Sequence, residues 1–438
     1  MPIIKAILSE ISNKKILVIF VTAFLIRSSC IIAVNIVFDK HFLNQDYEYG
    51  VIARSLVSGK GYSVPLMTRE PDGTTKEINL YRPTSYHLPF YPIMLAVIYY
   101  FVKSSLSIWI VMCIQAVAAS LTCIIIYFIT LKLYNNQRTA IIAAYIVAVY
   151  PTLIFYTARI VPETILIFWL SMMLMFMLIL RETPDYKISL TTGILLGITL
   201  LTSNVVVPVL PCIVIWLLIS WNITWKKRCQ LILVMIIAAY AVVSPLLIRN
   251  YMVFKEFPLM KTTAGTNLWM GNNPHASGTF EIASGKKIYS FAPESFNNGQ
   301  RLSETKQDKI LYDAAMSYIR QNPMRFVEMF LKKLYYFTWF PPDNLISREF
   351  LLNKKIMMIP YGVMLISFIA GIFLSLKKYP KDVFLLCSII FSVAVLYSIF
   401  VVGHPRYRMT IEPYMIILSS YFVSFLIDKF SLMSKYRR

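Results

Sequence analysis

Leu106–Leu131 reads LSIWIVMCIQAVAASLTCIIIYFITL, and no charged residue interrupts it before Lys132. As a helix rising about 1.5 Å per residue, this run is long enough to cross the ~30 Å hydrocarbon core of a bilayer. A core helix of a soluble domain is shorter and keeps a polar face. Comparable runs occupy Lys15–Phe38, Thr164–Leu180, Leu231–Ile248, Ile356–Leu376 and Val383–Val402. Composition agrees, with 57% of the 438 residues hydrophobic and 15% charged, where a soluble domain carries about a quarter charged. The chain reads as an all-α polytopic membrane protein.

The formal charge of +21 raises nucleic acid as a partner. The basic residues, however, cluster at the ends of the apolar runs, which is how membrane topology is encoded. No nucleic-acid partner is expected. Met1–Lys14 is polar and the run after it is too long for a cleaved signal peptide, so it reads as a retained first span with a cytoplasmic N-terminus. Further spans are expected near Thr139–Tyr156, Glu163–Leu180, Ile188–Ser203, Asn204–Ser220 and Gln230–Ile248. This places the basic loops Arg181–Lys187 and Trp225–Arg228 on the cytoplasmic side. Leu88–Val102 is short for a span, and treating it as one would move those loops outside. It reads as an interfacial or re-entrant helix.

The expected architecture is a multi-pass protein of the cell (inner) membrane with about ten transmembrane helices plus interfacial helices and both termini cytoplasmic. It divides into an N-terminal transmembrane module (residues 1–248, first external loop 39–105), an external loop with an interfacial helix (249–355) and C-terminal transmembrane helices (356–438). Within the second loop, Tyr318–Phe340 interleaves Arg320, Arg325, Lys332 and Lys333 with Tyr335, Tyr336, Phe337, Trp339 and Phe340. That pattern suits a helix at the lipid headgroups, or a solvated helix on the loop's own core. The six cysteines lie outside the long polar loops, and no pair has zinc-ligand spacing.

Residues able to do chemistry converge on the external side. All four histidines, His41, His87, His275 and His404, fall there. So do Arg159 and Glu163 at a span end, and Arg406, Tyr407 and Arg408 at another. Within the spans, Arg27 is nearly alone as an ionisable group. Transporters place charges or broken helices near the midplane, so this scarcity weighs against transport. Asp46-Tyr47-Glu48-Tyr49 sets two carboxylates two residues apart just after a membrane exit. A carboxylate held there beside cations could deprotonate a hydroxyl, and arginines nearby could hold a phosphate leaving group. The same acids also read as ordinary loop residues, and Gly59 and Gly61 as turn glycines.

The order of these features resembles the C-type membrane glycosyltransferases. The likeness is to bacterial relatives of the dolichyl-phosphate-mannose protein mannosyltransferases (family 39) and to the lipid A aminoarabinose transferases. It rests on an acid after the first span, followed by Tyr49, Ile52-Ala53, Leu56 and Gly59-Lys60-Gly61-Tyr62. Next come the Pro-rich stretch Arg82–Pro92 and Glu163 opening a later span. Gly271-Asn272-Asn273-Pro274 then lies in the long loop, and Arg406-Tyr407-Arg408 precedes the last span. Together these cover most of the chain.

The resemblance implies sugar transfer from a polyprenyl-phosphate donor to a hydroxyl of a glycan, lipid or protein acceptor, outside the cytoplasm and with inversion. It assigns the base to Asp46. The spacing from Asp46 to Ala53 is one residue shorter than the family pattern, so Glu48 could share or take that role. Glu163, with Arg159 beside it, maps to a second-loop site, and Arg82 and His87 to a cation near the donor phosphate. His404, Arg406, Tyr407 and Arg408 map to phosphate or interface ligands. No cofactor is required; a divalent metal is compatible with the chemistry, but no metal-binding residues are readable. Rival readings are a lipid-linked glycan polymerase or ligase using a pyrophosphate donor, a lipid-sugar flippase, and a membrane scaffold.

Overall fold

The computed structural model describes residues 14–37, 47–69, 75–256, 260–279, 292–293, 302–345, 348–402 and 405–436. Of the expected site residues, Asp46 and His404 lie outside the described residues, as does His41.

From the N-terminus, α1 (Lys14–Val37) is followed by the short α2 (Tyr47–Val57). Gly59 and Gly61 then turn the chain at φ +74° and +70°, a region that penalises any Cβ, in keeping with turn glycines. The chain next forms a hairpin, which an all-helical reading does not foresee. β1 (Ser63–Arg69) pairs antiparallel with β2 (Thr75–Pro83), with an irregularity between Pro65 and Leu66.

α3 (Phe90–Phe101) has 12 residues, about 18 Å of helix and too short to cross a bilayer. The main bundle follows with α4 (Leu106–Tyr134), α5 (Gln137–Val149), α6 (Pro151–Phe155), α7 (Glu163–Glu182), α8 (Tyr186–Thr202), α9 (Leu210–Ser220) and α10 (Trp225–Phe254). The second polar segment holds α11 (Ala264–Gly271), α12 (Glu304–Gln321) and α13 (Pro323–Thr338). The chain closes with α14 (Arg348–Leu376), α15 (Pro380–Ile399), α16 (Pro405–Met409) and α17 (Glu412–Tyr436).

The spans can be bounded by length, and one expectation is revised. By length and composition seven described helices can cross a membrane, or eight if α5 and the Pro151–Ala158 segment, bent by 52°, count as one broken span. The others counted among the expected ten are α8 and Asn204–Ser220, which are shorter. In the latter, Pro208 falls inside a 3-10 turn and keeps α9 to 11 residues, because proline removes a ladder donor. The revised expectation concerns Tyr318–Phe340, which is not one helix. It breaks at Asn322-Pro323, where the residue before proline is pushed out of the α region.

α7 is the axis of the bundle: 78% of its apolar stretch is buried, against 22% for that of α14. Charge sorts along it. At its C-terminal end Arg181 pairs with Asp382 and Lys132 lies 2.5 Å from Glu182, while the adjoining ends of α5 and α17 are joined by Arg138 and Asp428. Glu163 stands at the other end. The 20 residues of α7 span about 30 Å, so the two charged layers are a bilayer core apart.

Candidate active site

Glu163 owes its position to the chain break before α7. Tyr156–Ala158 forms a 3-10 turn, Arg159 is extended, and Pro162 precedes the helix. Gln115, fully buried on α4, holds this turn by donating to the carbonyls of Thr157 (2.9 Å) and Arg159 (2.8 Å) and accepting from the Tyr91 hydroxyl of α3 at 2.7 Å. Glu163 is thereby 8% exposed. Its Oε1 lies 3.6 Å from Arg406 Nε, and its Oε2 has no hydrogen-bond partner among the described residues. The Arg406 guanidinium sits over the Tyr407 ring at 5.2 Å, and that ring stacks on Tyr397 at 4.5 Å.

A second group of residues faces this pair. Glu48, in the first turn of α2, keeps 54% of its side chain exposed and places Oε2 3.9 Å from His87 Nε2. His87 is 7% exposed and packs on Tyr49 at 4.2 Å and Tyr86 at 4.9 Å. Burial, reinforced by Lys261 and Arg406 nearby, pushes the imidazole well below its usual range. His87 is thereby held toward its neutral form beside Glu48.

Lys261 supplies a charge that the sequence reading missed. It lies between α10 and α11, 6.0 Å over the Tyr86 ring. Desolvation lowers its amine to about 8, with Glu48 and Glu163 acting in the opposite sense and Arg406 adding to the drop. No local motif marks Lys261. Long-range pairing brings it here, including Thr262 N to Ser85 O at 3.1 Å.

The remaining candidates make other contacts. Arg82 is exposed on β2, opposite Val64. Arg159 lies 6.0 Å over the Phe155 ring. Arg408 turns into the core: its Nε is 3.4 Å from Glu412, Nη1 donates to the carbonyls of Phe337 (3.3 Å) and Trp339 (2.7 Å), and its guanidinium covers Tyr361 at 3.4 Å. It ties α13, α14 and α17 together. Gly271-Asn272 is likewise structural. The fully buried Lys333 donates to Gly271 O and Asn272 Oδ1, and to the carbonyls of Ile399 and Phe400 at 3.0 Å each. This seats the end of α15, from which the chain leads to Arg406. Among the described residues, no group of three or more His, Cys, Asp or Glu forms a metal site.

Two carboxylates and two cations thus meet against a wall of tyrosines at one end of the spans. Residues 86–248, less than half of the chain, match the family model described as dolichyl-phosphate-mannose-protein mannosyltransferase. The fold is that of the C-type membrane glycosyltransferases, and the family match covers one stretch of it.

Among solved structures, the chain is similar to the archaeal oligosaccharyltransferase AglB from Archaeoglobus fulgidus in complex with an inhibitory peptide and a dolichol-phosphate. The alignment covers 97% of this chain, with a TM-score of 0.55 and 14% identity. The apo form of the Archaeoglobus fulgidus oligosaccharyltransferase aligns over 98%, with a TM-score of 0.57 and 14% identity. Each alignment covers 52% of that protein, so the chain spans about half of its length. ArnT from Cupriavidus metallidurans, bound to undecaprenyl phosphate, aligns over 94% of this chain and 78% of its own, with 12% identity and a TM-score of 0.41. No curated protein matches the sequence.

Proposed function

We propose that the protein transfers a sugar from a polyprenyl-phosphate donor to an acceptor hydroxyl at the external face of the cell membrane, inverting the anomeric centre. The observation that carries this reading is the meeting of the Glu163–Arg406 pair with Glu48 and Lys261. The polyprenyl tail lies between the spans with its phosphate toward Arg406 and Lys261. Asp46 or Glu48 takes the proton as the acceptor oxygen attacks the anomeric carbon from the face opposite phosphate. The carbon–oxygen bond to phosphate breaks and its electron pair leaves on the phosphate oxygen. A single displacement inverts the centre, as in inverting glycosidases. Phosphate is a fair leaving group, so the cations need only offset the developing charge. Glu163, buried against Arg406, orients the guanidinium.

Purified protein in nanodiscs is offered a polyprenyl-monophosphate sugar and, separately, a polyprenyl-pyrophosphate oligosaccharide. Turnover of the first is expected. Turnover of only the second would make the protein a lipid-linked glycan polymerase or ligase, and export of intact donor in liposomes would make it a flippase. Asp46→Asn or Glu48→Gln should cost at least about 100-fold in rate. If both variants transfer at the parental rate, neither acid is the base.

A further inference from the structure

Glu304 opens α12 in the second polar segment and is 9% exposed. Its carboxylate collects donors from two other parts of the chain: the Thr84 hydroxyl at 2.6 Å, the Ser85 backbone N–H at 2.9 Å, and the Thr262 hydroxyl. The segments it joins also bond to each other, through Thr262 N to Ser85 O (3.1 Å) and Ser85 Oγ to Met260 O (3.3 Å). Asn250 and Arg249 of α10 close the knot, donating to Ser85 Oγ (2.8 Å) and Thr84 O (2.7 Å). One turn along α12, Asp308 accepts from the backbone N–H groups of Gly265 (3.0 Å) and Thr266 (2.8 Å). The stretch 262–266 is therefore gripped at both ends by carboxylates of one helix.

The residues held by Glu304 are Thr84, Ser85 and Thr262. Their neighbours are site residues: Lys261 directly precedes Thr262, and His87 stands two residues after Ser85. We propose that Glu304 is a positioning residue, which clamps Thr84-Ser85 to Thr262 and so holds Lys261 in the site, making the second polar segment the element that supplies the second cation. What Lys261 does there rests on the transfer reaction proposed above; the clamp itself does not. A lysine stem loses much rotamer freedom when ordered, so a fixed backbone on both sides is what keeps the amine in place. A carboxylate suits three converging donors, whereas an amide offers a single acceptor oxygen. Lys261 is surrounded by Tyr86, by Glu48 of α2, Glu163 of α7, Asp308 of α12 and Arg406 of α16, with His87 alongside. Its titration therefore reports whether it is seated.

Competitive amine labelling of substrate-free protein in nanodiscs, read by mass spectrometry across pH, gives the Lys261 midpoint directly. The parent should titrate near 8. Glu304→Gln should raise the midpoint, and Glu304→Ala should carry it toward the value of a solvated lysine, about 10.4. Lys333, buried on α13 with its amine lowered to about 7, is the control for global loss of fold and should not move. An unchanged Lys261 midpoint in Glu304→Ala, or equal movement of Lys261 and Lys333, overturns the proposal. In transfer assays Glu304→Ala should lower kcat/KM for donor about tenfold, and should add nothing further in a Lys261→Ala background. Fully additive losses would make Glu304 a general structural residue and overturn the proposal. Absence of transfer from either donor by the parent would instead remove the transferase reading, while the labelling result would still decide the clamp.

Discussion

Glu163 and Arg406 stand 3.6 Å apart with 10% and 20% of their side chains exposed, and such a pair has two separable consequences. Removing one partner strands the other as a buried charge, so Arg406→Ala should destabilise the fold by about 3 kcal/mol. Replacing both with apolar residues, Glu163→Leu with Arg406→Met, should recover most of that loss, because desolvating the two ions opposes their attraction. Thermal unfolding followed by tryptophan fluorescence measures this, and transfer activity should stay absent in both variants. A double variant that transfers sugar would reduce the pair to a structural contact. At this scale the sequence was readable only in part. Arg406 and Arg408 look equivalent in a string, yet residues two apart on a helix point about 200° away from each other. One therefore meets Glu163 and the other Glu412. Lys261 was invisible because its place depends on backbone pairing with a segment more than 170 residues earlier.

Breaks in helices, at the scale of elements, explain the polar residues that hydropathy leaves over. Arg27, buried in the middle of α1, donates to the carbonyls of Val147 (3.2 Å) and Ala148 (3.0 Å) at the end of α5. Pro151 has no N–H with which to satisfy Val147 O four residues back, and in the bilayer no water can do so. Arg27 closes the gap made by the 52° bend. Arg27→Leu keeps the bulk and the apolar match but orphans these carbonyls, and should lower stability by about 1–3 kcal/mol. A thermal midpoint equal to the parent's would show that the bend needs no such partner. Close packing works the other way. A Cβ on Gly193 of α8 would lie 2.3 Å from Met235 O of α10, and one on Gly197 2.6 Å from Val242 Cβ, the small-residue spacing that lets membrane helices approach. Apolar runs made the long helices legible. The β1–β2 hairpin was not, because it lies in a polar segment outside the apolar runs, and the Asn322-Pro323 break was passed over although its proline marks it.

For the whole molecule, charge is layered along the helix axes. Lys132, Arg138, Arg181, Glu182, Asp382 and Asp428 interlock at one end, and Glu48, His87, Glu163, Lys261 and Arg406 gather at the other. The basic-loop pattern anticipated this division without depending on the number of spans, since topology follows loop charge and not helix length. The orientation it implies has a direct test. Lys309 on α12 and Lys377 in the turn between α14 and α15 are both exposed. With the exposed native cysteines Cys113 and Cys229 replaced by alanine, Lys309→Cys should react with a membrane-impermeant maleimide in intact cells. Lys377→Cys should react only after permeabilisation. The reverse pattern would put the site in the cytoplasm, where it would face sugar nucleotides, and the lipid-linked donor would lose its rationale. Labelling of both in intact cells would mean that the two charged layers do not flank a bilayer at all.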